Sequence, residues 1–304
     1  MAFSQQQPIT KGNKKMATEK SEYTGQLMFR KVKVRLVTTN EMLGMSPSDP
    51  KLYQTFIRIK KEKALESLQK KVKGLSEEEK KAILDSGIED IEKFFTNPSE
   101  AEMVKGIFEK INQESADDES KITCFLRMPN DPSTPCLGDW QLKGAIKEFW
   151  KGLIASTPSA RIQAYVDRIE SDIQVYPVDF PLPASGKITW DQVNDLNKAN
   201  ANVNRKAIKI TMPEGYVLDP EKEECLCQRP LRAMTAKGPR VSIACSERIP
   251  EGAVIEFILA FTNKDDHIQL VKDAFSFGGM NRGLCEWRTG GKGRFYIDLW
   301  EKID

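Results

Sequence analysis

Gly278, Gly279, Gly283, Gly290, Gly291 and Gly293 fall within seventeen residues near the C-terminal end of the chain, together with Arg282, Arg288, Lys292 and Arg294. The segment that follows, Phe295-Tyr296-Ile297-Asp298-Leu299-Trp300, alternates as a strand does. A loop of this composition can take positive φ repeatedly and bring its backbone close to another group with no Cβ in the way. Four cations against the single carboxylate of Glu286 favour an anion as that group, and a phosphate backbone is the obvious candidate. Glycines also mark turns whose geometry alone demands them. The cations between them and the adjoining strand tilt the reading towards contact. In that strand Arg294 points opposite to Phe295, so a buried Phe295 leaves the arginine outside, and Arg288, Lys292 and Arg294 are expected to have little part in packing.

A chain of 304 residues, 39% hydrophobic and 30% charged, can bury a sizeable core. It holds no apolar run near the roughly 20 residues of a membrane span, and its first residues lack the hydrophobic stretch of a signal peptide. Cys124, Cys136, Cys225, Cys227, Cys245 and Cys285 are scattered without the density of a disulfide scaffold, which reads as reduced thiols in a cytoplasm. Net charge is +2 but uneven: Ser76 to Ser120 carries fourteen acidic residues against five lysines, so the rest stands at +11 by difference. A basic body with one acidic segment is compatible with a nucleic-acid partner.

Residues 1–25 are polar and aperiodic and read as a disordered tail. From Phe29 to Val37, Val32, Val34 and Leu36 alternate with Lys31, Lys33 and Arg35, as in a strand with one buried and one cationic face. Three cations at every second position can line a phosphate track; a solvated sheet face has the same pattern. Residues 50–120 read as an acidic helical insertion into a core made of 26–49 and 121–304. Asp49-Pro50 starts its first helix, Ser76 with Glu79 forms a capping box, Gly87 ends that helix, and Asn97-Pro98 starts another. Its charge suits a protein partner or a shielding role better than a polyanion.

Ile122 to Met128 reads as a strand, and Pro129, Pro132 and Pro135 as a loop leading to a helix from Asp139 to about Ala155. On that helix Trp140, Ile146, Phe149, Trp150 and Leu153 form an apolar stripe assigned to the core, with Lys143, Lys147 and Lys151 along another face. Ile173 to Phe180 is extended, and the asparagine-rich stretch through Val203 has no legible element. Leu231–Thr235 and Arg240–Cys245 read as hairpin arms around Lys237-Gly238, and Pro250-Glu251-Gly252 turns into a strand from Val254 to Phe261. A helix from Asp265 to about Phe277, capped by Gly278-Gly279, precedes the glycine-rich loop and last strand. Strand, helix and strand in one sheet, with the first strand and the Asp139 helix, predict an α+β fold of split-βαβ, ferredoxin-like type.

Two segments resemble the RAMP superfamily of CRISPR-associated proteins. Asp139-Trp140-Gln141-Leu142-Lys143-Gly144-Ala145-Ile146-Lys147 is similar to the family's helix-opening segment, and Gly283 to Phe295 is similar to its glycine-rich loop before the last strand. The order and placement of the two match as well. A closer overall likeness is to bacteriophage and prophage proteins of Gram-positive bacteria, which carry a first strand, an acidic helical block and a Gln-Arg-Pro-Leu-Arg segment, here Gln228 to Arg232. The resemblance implies an RRM-like RAMP core whose subunits multimerise along a guide RNA and hold it by its phosphates, leaving base pairing to read sequence.

His267 is the sole histidine, which excludes His-cluster metal sites and two-histidine acid–base cleavage of RNA. Cys225-Leu226-Cys227 has the wrong spacing for a zinc knuckle, and no phosphate-binding loop before a helix appears, so no metal or cofactor is expected. In some RAMP subunits an aspartate after the first strand cuts RNA; Asp49 occupies a comparable place, though a helix-capping role accounts for it. The residues therefore point to a non-enzymatic binder of single-stranded RNA or DNA, and the resemblance implies that it forms homo-oligomers or joins a larger ribonucleoprotein assembly. Lys31, Lys33, Arg35, Lys143, Arg229, Arg232, Arg282, Arg288, Lys292 and Arg294 are the candidate phosphate contacts, with Trp287 as a stacking platform or an anchor of the loop. A protein that inhibits a host defence complex through its acidic block is one rival, and a RAMP-type endoribonuclease the other.

Overall fold

The computed structural model describes residues 26–47, 50–68, 76–86, 88–116, 122–157, 169–201, 206–219, 222–235, 238–262 and 265–304. The alternation of Val32, Val34 and Leu36 with Lys31, Lys33 and Arg35 becomes a central strand, β1 (Gln26–Thr38), flanked antiparallel by β12 (Val254–Phe261) and β13 (Phe295–Ile303). Beyond β12 lie β7 (Ile173–Tyr176) and β9 (Ala207–Thr211), and the sheet continues through β6 (Asp131–Gly138) to β5 (Leu126–Met128). Helices α4 (Asp139–Ser156) and α7 (Asp265–Asn281) pack against each other. Strand, helix, strand, strand, helix, strand with the last strand beside the first is the split-βαβ, ferredoxin-like arrangement.

Between that sheet and the two helices lies the main core, which joins Val32, Val34, Leu36, Phe257 and Leu259 to Phe149, Trp150, Val271 and Phe275. It explains a departure from expectation at Gly278-Gly279. These glycines do not cap α7; the helix runs through them to Asn281. A Cβ at Gly278 would stand 2.2 Å from the Phe149 ring, and one at Gly279 2.2 Å from the Phe295 carbonyl oxygen, so their smallness lets α7 approach α4 and β13. The cap is Gly283, at φ 79°, whose N–H donates to the Gly278 carbonyl at 2.8 Å.

The opposite face of the sheet is covered in part. Phe29, Tyr176, Ile188, Ile258 and Ala260 form a second core with Phe180, Leu182, Val193 and Leu196. Ile188 comes from β8 (Gly186–Thr189), which pairs with the start of β1, and Val193 and Leu196 from a helix (Trp190–Ala201) in the stretch that had no legible element. That helix buries no residue fully, so its apolar stripe is weak. Its start nevertheless carries a capping box: the Thr189 N–H donates to Gln192 Oε1 at 2.9 Å, and the Gln192 N–H to Thr189 Oγ1 at 3.4 Å.

A second sheet carries the hairpin of β10 (Leu226–Thr235) and β11 (Gly238–Ile249), whose arms are longer than expected, with β4 (Ile122–Cys124), β3 (Ser46–Pro47) and β2 (Met42–Leu43). Of the proline-rich segment after Met128, Pro129 lies in a turn as expected, while Pro132 and Pro135 lie in strand β6 and not in a loop. Pro135 stands opposite Arg127, and the register slips between Arg127 and Met128, so the donors that proline lacks fall where the β5–β6 ladder is already irregular. Helices α1 (Pro50–Leu68), α2 (Glu77–Asp85) and α3 (Pro98–Ala116) bury Leu65, Ile83, Ile91, Val104 and Phe108 together. From α1, Ile59 also reaches Cys124, Leu226 and Cys245. The Ser76–Glu79 capping box is formed, and α2 ends at Asp85 with Ser86 as its cap; Asp49 and Gly87 lie outside the described residues. No helix among the described residues is long and apolar enough to cross a membrane.

Candidate nucleic-acid interface

The glycine-rich loop is stitched to itself and to the segment after β1. The Leu284 N–H donates to the Gly293 carbonyl at 2.8 Å, the Gly293 N–H to Glu41 O at 2.8 Å, and the Thr39 N–H to Arg294 O at 2.8 Å. Cβ atoms at Gly283 and Gly293 would stand 2.3 Å from Lys292 O and 2.0 Å from Leu284 O, and one at Gly290 would strike the Trp287 indole at 2.5 Å. Within the loop only Gly291, at φ 81°, faces open space. Most of these glycines therefore admit the protein's own atoms, not a ligand's. Cys285 and Trp287 hold the left-handed region at φ 63° and 52°, a conformation that costs a non-glycine residue energy and is over-represented at functional sites.

Three of the four loop cations are engaged, contrary to expectation. Arg288 forms a bidentate pair with Glu148 of α4, and Lys292 pairs with Glu41, which also accepts from Arg248 at 3.4 Å. Arg294 donates to the Met280 carbonyl near the end of α7, where the helix dipole favours a cation. Its side chain is thus outside the core yet already bonded. Arg229 is 6% exposed: its Nη2 is 2.8 Å from Glu286, and its guanidinium lies 5.3 Å from the centre of the Trp287 ring. Glu286 also accepts from Thr123 Oγ1 at 2.8 Å and Ser246 Oγ at 2.9 Å, which fixes the loop to the second sheet. Trp287 itself is half-exposed, with Arg229 and Lys292 about its ring and Gly290 beneath it.

Lys31, Lys33 and Arg35 lie on the face of β1 away from α4 and α7, apart from the loop. Lys31 is buried and donates to Asp304 O at 2.6 Å, and Arg35 bridges Glu256 at 2.7 Å and Asp298 at 3.2 Å, so of the three only Lys33 lacks a polar partner among the described residues. A continuous phosphate track on this strand is not what the side chains form. Arg282 is exposed beside Gly152, and Arg232 pairs with Val241 through its backbone; its side chain lies outside the described residues.

The outer face of α4 gathers what the loop alone does not. Trp140, assigned to the core, is instead 46% exposed, with its ring laid against Gly138. The reason is angular: Ile146, Phe149 and Trp150 share the buried side, whereas Trp140 stands in line with Gly144 and beside Lys143 and Lys147. A cleft of about 440 Å³ opens here, lined by Met45, Leu126, Trp140, Gly144, Glu148 and Arg288 among others. Burial, and then the charge of Lys147, lower the Lys143 pKa. Lys206, whose Nζ lies 3.8 Å above the Tyr176 ring, is likewise lowered by burial, which Asp139 opposes more than Lys143 adds to it. Lys143 and Lys147 thus repel one another, while the carboxylate of Asp139 attracts both Lys143 and Lys206. Burial pushes the Cys285 thiol up to about 12, so it is no nucleophile at neutral pH. Among the described residues no three His, Cys, Asp or Glu side chains converge to hold a metal ion.

The cleft joins Arg288, which the sequence points to, with Trp140, which it does not; Lys143 is on the adjoining row of α4. The missed signal was available in the helical spacing, because Trp140 and Gly144 share a row next to the lysines. No family model matches the chain, and no curated protein matches it. Among solved structures it is similar to a chain described as "Cryo-EM structure of the Type III-B Cmr-beta bound to cognate target RNA", at 10% identity and a TM-score of 0.40. The match covers 91% of this chain and 61% of that one, so the protein spans under two thirds of that chain's length.

Proposed function

We propose that the protein binds single-stranded nucleic acid, RNA foremost, across the α4 face and the glycine-rich loop, and that it does so as a binder and not as an enzyme. One observation carries the reading: the half-exposed Trp140 indole and an open cleft that Arg288 lines lie on the outer face of α4, beside the row that holds Lys143 and Lys147. Aromatic stacking with a cationic flank is how proteins hold a flexible strand without reading its sequence. Lys143, Lys147, Lys206 and Arg288 supply the charge, with Lys33 and Arg282 as outlying contacts. The family resemblance adds multimerisation along the strand, in a bacteriophage or prophage setting within a bacterial cytoplasm. Titrating labelled single-stranded RNA and DNA over a range of salt tests the proposal. Affinity should fall steeply with salt, and Lys143→Glu with Lys206→Glu should weaken both strands alike.

A further inference from the structure

We propose that the cleft between α4 and Met45-Ser46 takes a single nucleotide, with its base on the Trp140 indole over Gly144 and its phosphate on Arg288 in exchange for Glu148. This rests on the strand-binding reading and assigns one of its nucleotides a seat.

Gly144 gives the first argument. Glycine is the poorest helix former after proline, yet it occupies the interior of α4, and a Cβ built there meets nothing within 4 Å. Gly152 on the same helix is explained by Phe277, whose ring would stand 2.5 Å from a Cβ. Gly106 in α3 is open in the same way, but at Gly144 the open space is the cleft itself, where a side chain would take an occupant's room. The second argument is size and lining. About 440 Å³ lies within the range of roughly 300–1,000 Å³ typical of small-ligand sites. Met45, 42% exposed, Leu126 and Ala145 supply apolar walls, Trp140 a flat surface, and Ser46 and the amide nitrogen of Gln141, whose oxygen accepts from the Gly138 N–H at 2.8 Å, supply polar groups for a base edge.

The third argument is the far end. Glu148 follows Trp140 by eight residues, or about 12 Å along the helix, and the Arg288 fork closes that end. A nucleotide extended from base to phosphate, met by a long arginine side chain, covers this span. The side chains of Arg288 and Glu148 are 32% and 49% exposed, so their pair is of the weakly stabilising surface kind that a phosphate can displace.

The test is calorimetric titration of the full chain with adenosine, guanosine, cytidine and uridine 5′-monophosphates, the parent nucleosides and inorganic phosphate, alongside a single-stranded RNA. Wild type should bind nucleotides more tightly than nucleosides. Gly144→Leu, which fills the cleft while favouring the helix, should abolish nucleotide binding, and Trp140→Ala should weaken it at least tenfold. Glu148→Gln should tighten nucleotides several-fold and leave nucleosides unchanged, a split that loss of a merely structural ion pair does not produce. Should wild type and Gly144→Leu bind nucleotides equally while both still hold the strand, the pocket is refuted and the strand-binding reading survives. Nucleotide binding without strand binding supports the pocket and overturns that reading, and binding of neither overturns both.

Discussion

Gly293→Ala and Gly291→Ala differ by one methyl group each at two positive-φ positions of the same loop, and the structure separates their costs. At Gly291 a Cβ meets open space, so the cost is the left-handed conformation alone, about 1–2 kcal/mol. At Gly293 the same strain at φ 68° is joined by a Cβ 2.0 Å from Leu284 O and 2.8 Å from Leu284 N. Relief of that overlap must part the two sides of the loop, adding about 1–3 kcal/mol for overpacking and about 1 kcal/mol for the strained Leu284–Gly293 hydrogen bond. The totals are about 3–6 kcal/mol against 1–2. At about 2–4 °C per kcal/mol for a domain-sized chain, Gly293→Ala should melt at least several degrees below Gly291→Ala in thermal unfolding followed by circular dichroism. Equal melting temperatures would show that the loop is not held by this close approach, and the account of its glycines would fail.

Charge reversal in the loop should not be uniform. Lys292→Glu sets a carboxylate against Glu41 and should lower stability by about 1–3 kcal/mol, measured by denaturant unfolding, whereas Arg282→Glu, exposed and without a side-chain partner, should lie within about 0.5 kcal/mol of wild type. Burial holds Lys143 and Lys206 below the ordinary lysine value of 10.5. Between the lowered values and 10.5 the folded state binds fewer protons than the unfolded chain, so their contribution to stability rises with pH in that window while strand affinity falls. Both trends should flatten in Lys143→Met with Lys206→Met, as read from unfolding and binding across the alkaline range. Phe108→Ala should cost about 3–5 kcal/mol within the helical block, and hydrogen exchange should show lost protection in α2 and α3 with β1 and β12 still protected.

What the sequence makes legible follows from how local each determinant is. The alternation around Val32, Val34 and Leu36, the turn at Gly252 and the Ser76–Glu79 box are set within a few residues, and they appear where the pattern puts them. The ferredoxin-like order follows because few topologies join those strands through α4 and α7. The Trp190–Ala201 helix is harder to read, since no residue on it is fully buried and its sole clear mark is the box at Thr189 and Gln192. Least legible is the state of the cations. Arg288 finds Glu148 across 140 residues and Lys292 finds Glu41 across 251, separations over which charge content says nothing about pairing. A count of basic residues therefore reveals neither the ion pairs that Arg288, Lys292 and Arg35 make nor the exposure of Trp140.

The most direct measurement is the salt dependence of single-stranded RNA binding by wild type and by Lys143→Glu with Arg288→Glu. Wild-type affinity should fall linearly on logarithmic axes with a slope of several, about 0.7 per phosphate engaged, and the double variant should bind more weakly with a slope shallower by about one to two. An affinity that is flat in salt, or a double variant with the wild-type slope and affinity, would contradict the claim that the α4 face and its arginine hold the strand.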